Sequence, residues 1–133
     1  MIPWLYKNKY YIIECCNNKI SINNMLEDEC YANLKMNPEG YYCCGYIYND
    51  NYLCVSEYNN NCIRIWDLVN KIINKEIKYD GRNGREIIPW NNKYAIVGCL
   101  GGFVIINIEE GKTVKQIKLD NTNVCGVKKI KLS

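Results

Sequence analysis

The sequence predicts an all-β fold of consecutive four-stranded antiparallel units, and three observations predict it. Short runs rich in Ile, Val, Tyr and Cys recur along the chain, each bounded by Asn, Lys, Asp or Gly. One such run begins at Tyr10, returns at Tyr52 and returns again at Tyr94, a spacing of 42 residues both times. About four runs, separated by polar turns, fit into each period.

The first unit, at about residues 1–40, opens with PWLY and a KNK turn, then YYIIE from Tyr10 to Glu14 and KISI from Lys19 to Ile22. Its last run, Cys30 to Met36, is weak. Helical character is confined to Met25 through Lys35, where Met25, Leu26, Glu27 and Glu29 favour one turn. The second unit, 41–83, has GYIY, an NDN turn, YLCVS, then CIRIWD from Cys62 to Asp67 and a closing run from Ile72 to Tyr79. The third, 84–120, carries IIPW, an NNK turn, YAIVG, then FVIINI from Phe103 to Ile108 and a closing run from Thr113 to Leu119. Residues 121–133 read as the first strand of a further unit. The second and third runs of each unit are apolar nearly throughout, as expected of strands covered on both faces.

At 133 residues with 48% hydrophobic content, the chain has the length of one domain and enough apolar surface for a core. The opening residues form neither a signal peptide nor a membrane span, and no run of 18 apolar residues follows, so a soluble, cytoplasmic chain is expected. Nine cysteines, an odd number lying mostly inside β-like runs, read as buried reduced thiols. A net charge of +3 is too small to demand a polyanionic partner. The C-terminal quarter is nevertheless locally basic through Lys112, Lys115, Lys118, Lys128, Lys129 and Lys131. Asn, Lys, Ile and Tyr are all heavily used, a mixture typical of A+T-rich coding sequence.

No histidine is present, which removes the usual Ser/His and Cys/His arrangements for catalysis. Glu27, Asp28 and Glu29 cluster in an irregular segment and read as a solvated loop. Cys15, Cys16, Cys30, Cys43 and Cys44 are the candidates for a zinc site, but their pairs are adjacent, and neighbours on a strand point to opposite faces. No metal and no cofactor are expected. Gly81 to Glu86 (GRNGRE) lacks the Gly-Lys-Ser/Thr ending of a phosphate-binding loop. Trp4, Tyr6, Tyr48 and Trp90 recur at comparable strand ends, which suits core packing better than base stacking.

The stretch NCIRIWDLVNKIINKEIK, with its strand ending in Trp66-Asp67, resembles the signature of the WD40-repeat β-propeller family. GGFVIINIEEGKTVKQIK follows the same pattern with Ile106-Asn107 at the signature position and Gly111 in the turn; the first unit has Asn23-Asn24 there, a poor match. The resemblance covers nearly the whole chain and implies blades of a divergent, partial propeller. The family's Gly-His pair is missing, so its histidine-centred tetrad cannot form here. Propellers need at least about four blades, so this reading calls for further blades from a longer chain or a second copy.

The resemblance implies a rigid, non-catalytic scaffold whose partners are other proteins. On the family's layout the binding surface is built from loops that map to Tyr58 to Asn61, Arg82 to Arg85, Leu100 to Gly102 and Asp120 to Asn123. Tyr58, Asn60, Arg82, Arg85, Leu100 and Asn121 are the candidate contact residues. The alternative is a basic face, built on the C-terminal lysines, that binds anionic lipid or RNA.

Overall fold

The computed structural model describes residues 1–16, 19–35, 42–57, 61–80, 84 and 86–123. Eleven strands form three antiparallel sheets, and no helix occurs among the described residues. Sheet 1 contains β1 (Ile2–Tyr6), β2 (Lys9–Cys16), β3 (Lys19–Asn24) and β4 (Cys30–Lys35). Sheet 2 contains β5 (Tyr42–Tyr48), β6 (Tyr52–Glu57), β7 (Cys62–Asp67) and β8 (Ile72–Lys78), and sheet 3 contains β9 (Glu86–Pro89), β10 (Tyr94–Asn107) and β11 (Lys112–Asn123). In every sheet, strands pair in the order in which they leave the sequence.

Local chemistry sets the turns. Between β1 and β2, Lys7 and Asn8 both have positive φ, at 49° and 61°, as a two-residue hairpin turn of the primed type requires. Asn49 and Asp50 likewise have positive φ, at 51° and 66°, in the three-residue loop between β5 and β6. Asn and Asp tolerate the left-handed region because their short side chains bond locally. The helical turn expected from Met25 is instead a tight turn held at Asn24, and strand resumes at Cys30.

Sheet 3 departs from the expected four separate strands, because β10 spans both middle runs in 14 residues. Extended at about 3.3 Å per residue, such a strand would hold its ends more than about 40 Å apart. Here the Ile108 amide donates to the Lys93 carbonyl at 2.8 Å, so β10 folds back on itself. The fold lies at Leu100 to Gly102, where Gly101 and Gly102 have φ of 82° and 153°. One arm pairs with β9 through Ala95 to Gly98, and the other with β11 through Gly102 to Asn107. The sequence reading set a turn at Leu100 to Gly102; the structure bends there within one continuous strand.

The repeat register also needs a correction of one residue in the first unit. Tyr11, not Tyr10, is the counterpart of Tyr52: Tyr11 faces Asn24 across β2 and β3, as Tyr52 faces Asp67 across β6 and β7. A shift by one residue exchanges the two faces of a strand. Accordingly Tyr11 is buried while Tyr10 is 57% exposed.

Two cores result, one on each side of sheet 2. Leu53, Val55, Trp66 and Leu68 pack against Trp4, Tyr11, Ile13, Ile20, Ile22 and Leu34 of sheet 1. On the opposite face Cys54, Ile63, Ile65 and Ile77 pack against Ile87, Ala95, Val97, Val104, Ile106 and Ile108 of sheet 3. The first strands lie together, with β5 touching β1 on one side and β9 on the other. Among the described residues sheet 2 is the one covered on both faces, which explains why β6 and β7 are buried nearly throughout whereas β2 carries an exposed Glu14. No helix of the described residues is long and apolar enough to cross a membrane.

Candidate functional site

The Trp66-Asp67 pair serves the architecture. Trp66 is 5% exposed and lies in the core between sheets 1 and 2. Asp67 leaves β7 with its Oδ1 accepting from the amides of Val69 and Asn70, at 3.1 and 3.0 Å, while Oδ2 accepts from Asn70 Nδ2 at 2.8 Å. These bonds, led by the one from the Asn70 side chain, hold the Asp67 carboxyl below its usual range.

The same device stands in the other two sheets. Asn24 Oδ1 accepts from the amides of Leu26 and Glu27 at 2.9 and 3.0 Å, and Asn107 Oδ1 accepts from Glu110 at 3.0 Å. The next residue then closes the hairpin in each case: Met25 donates to Tyr10, Leu68 to Asn51 and Ile108 to Lys93. Asn24 therefore caps its turn as Asp67 does, although the two side chains differ. What the turn uses is a side-chain Oδ1, which Asn and Asp share. A register shift falls just before each cap as well, at Ile22/Asn23, Ile65/Trp66 and Ile105/Ile106.

Antiparallel order places these capped turns on one edge of the stack. The fold-back of β10 at Leu100 to Gly102 lies on the opposite edge. Of the candidate contact residues, Leu100 sits at the tip of the β10 fold and is 42% exposed. Tyr58, Asn60, Arg82 and Arg85 lie outside the described residues. Asn121 is not in a loop, because β11 runs on to Asn123, which pairs with Leu100.

Just inside this edge sits a charged cluster that the sequence reading missed. Glu57, fully buried at the end of β6, accepts through Oε2 from Arg64 Nε at 2.6 Å and from the Cys62 thiol at 3.0 Å. Arg64 also reaches Glu76 Oε2 on β8 at 3.7 Å. Strand register explains the cluster, since Cys62 faces Glu57 and Arg64 faces Glu76. The sequence signal was a charge on each of three neighbouring strands, Glu57, Arg64 and Glu76.

The arrangement is suited to holding shape rather than to chemistry. Burial, with the bond to Glu57, pushes the Cys62 thiol up to about 12; burial, outweighing a tyrosine hydrogen bond that acts the other way in each case, takes Cys54 to about 12 and Cys99 to about 11. None of these three supplies a thiolate at neutral pH. Among the described residues no three His, Cys, Asp or Glu side chains converge as a metal site would need. Of the zinc candidates, Cys30 is exposed on β4, while Cys15 and Cys44 meet at a small cavity between sheets 1 and 2, also lined by Ile2, Ile13 and Gly45. The side chains of Cys16 and Cys43 lie outside the description. Glu27, Asp28 and Glu29 are exposed, and Glu27 pairs with Lys9 at 3.4 Å.

No protein-family model matches the sequence, and no curated protein matches it. Among solved structures the chain is similar to one of hydrazine synthase from Kuenenia stuttgartiensis, with a TM-score of 0.71 and 16% identity. The match covers 88% of this chain and spans 34% of the length of that one. At that identity the likeness is one of fold.

Proposed function

We propose that the chain is a run of WD40-like propeller blades that acts as a non-catalytic scaffold, recruiting other proteins through the loop edge of its sheets. One observation carries this reading: three four-run units end their third run on the same Asx-capped turn, preceded by the same register shift. Such repetition builds a rigid frame while leaving the loops on the opposite edge free to vary. The packing of β1 against β5 and β5 against β9 suits blades whose first strands line a common axis. The likeness to hydrazine synthase supports the fold and carries no activity to this chain.

The experiment is capture of cellular proteins on the immobilised 133-residue chain, compared with an Arg82→Ala/Arg85→Ala variant. The scaffold reading expects defined partners that survive moderate salt and are lost with the variant; capture unchanged by the variant counts against this edge. The basic-face reading draws on Lys112, Lys115 and Lys118, all exposed on β11. It expects binding to anionic vesicles or RNA that falls steeply as salt rises.

A further inference from the structure

Each internal interface joins unlike faces. Sheet 2 presents Leu53, Val55, Trp66 and Leu68 to the sheet before it, and Cys54, Ile63, Ile65 and Ile77 to the sheet after it. The outer face of sheet 3 is equivalent, position by position, to the second of these sets. Ile88 pairs with Ile96 as Tyr46 pairs with Cys54, Ile105 with Lys115 as Ile65 with Lys75, and Phe103 with Ile117 as Ile63 with Ile77. The outer face of sheet 1 corresponds in register to the first set, with Ile12 where sheet 2 has Leu53 and Met25 where it has Leu68, while Glu14 and Asn23 stand at the places of Val55 and Trp66.

Exposure marks both outer faces as unfilled halves of such an interface. The residue after the cap is 0% exposed at Leu68 and 1% at Ile108, each packed on the preceding sheet, yet Met25 in the same place is 60% exposed. At the other end, Trp4 faces Tyr11 and is 2% exposed against sheet 2, whereas Trp90, bonded to Tyr94 in the same relation, is 42% exposed. No described strand covers either face.

We infer that these two faces fit each other, and that a second copy of this chain fills them head to tail, the outer face of sheet 3 in one copy lying on the outer face of sheet 1 in the other. The internal contacts supply the geometry. Tyr31 donates to the Leu68 carbonyl at 3.1 Å, and Lys75 Nζ donates to the Ile108 carbonyl at 3.2 Å. Lys115 stands where Lys75 stands, so its ammonium meets the Met25 carbonyl of the other copy. Because the main approaches between sheets all run through the first strands β5 and β9, each sheet turns relative to the last, and two copies close into a ring rather than extending into a filament. This inference is independent of what the loop edge binds, and its test does not involve capture.

The test is the native mass of the purified 133-residue chain by sedimentation across a wide concentration range. The expected result is a species of twice the 15.6 kDa chain mass that does not grow further. Met25→Lys and Ile105→Glu, on opposite faces, should each give a folded monomer. Mixed together they should recover dimer, since the mixed pair retains one native interface and sets opposite charges together in the other. Lys115→Ala, an exposed change that leaves the fold alone, should weaken the dimer about a hundred-fold, since the closed ring loses two charge-assisted hydrogen bonds, one at each interface. A monomeric parent chain, a dimer lost on one face's variant but not the other's, or an open series growing with concentration would each overturn the inference.

Discussion

Arg64 and Glu57 form an ion pair sealed inside sheet 2, with Nε 2.6 Å from Oε2 and side chains only 9% and 0% exposed. Removing one partner strands the other charge where water cannot reach it, which costs more than the pair itself contributes. Arg64→Ala should therefore lower unfolding stability by about 3 kcal/mol or more, read from the urea midpoint. Replacing both residues by Met removes both charges and keeps volume, so the double variant should recover most of that loss. Equal destabilisation by single and double variants would show that packing, not the buried charge, sets the cost.

Asp67 contributes pH dependence that its counterparts cannot. Its folded-state carboxyl lies below the ordinary 3.8 because Asn70 and nearby amides bond the ionised form. A depressed carboxyl stabilises the fold above its unfolded value and loses that contribution as pH falls through the folded value. Melting temperature should drop on acidification below about pH 4, and Asp67→Asn should flatten part of that drop. The amides of Asn24 and Asn107 do not titrate, so the other two turns hold. An acid limb identical in the variant would place the pH sensitivity elsewhere.

Thiol reactivity should divide the cysteines by location. Cys54 and Cys99 are buried and raised to about 12 and 11, and Cys62 is buried beside Glu57 and raised to about 12, whereas Cys30 is exposed at the start of β4. Alkylation of the native protein at pH 8, followed by mass mapping, should label Cys30 early and leave Cys54, Cys62 and Cys99 unlabelled until denaturant is added. Early labelling of Cys54 would mean that sheets 2 and 3 separate readily in solution.

Strand runs and their order were legible in the sequence because half-buried strands leave an alternating or continuous apolar trace. Register was less so. Tyr10 and Tyr11 are chemically identical letters, and only the pairing of β2 with Trp4 and Asn24 decides which faces the core. The capped turns could have been found by looking for an Oδ1 at the end of each third run instead of for Trp-Asp. The register shifts leave no such trace, because the residues flanking them are Ile-Asn, Ile-Trp and Ile-Ile. The Glu57 cluster was hidden for a related reason: its partners are 7 and 12 residues apart along the chain and meet only through cross-strand register.

The fold-back of β10 rests on two glycines with different demands. At Gly101, φ of 82° is a left-handed conformation that costs a side chain about 1 kcal/mol, and an added Cβ would meet nothing closer than the Leu119 carbonyl at 3.7 Å. At Gly102, φ is 153° and an added Cβ would collide with the backbone carbonyl of Ile117 on β11. Backbone cannot swing aside as a flexible side chain would, so relief requires β11 to move and its pairing with Phe103 to break. Gly101→Ala should therefore shift the melting temperature by a few degrees, in line with about 1 kcal/mol for a domain of this size, whereas Gly102→Ala should shift it much further. Hydrogen exchange should report lost protection in β11 for Gly102→Ala alone. Comparable, small effects from both would mean that β11 is not held against the fold-back, and the account of sheet 3 would have to be redrawn around the β9–β10 arm.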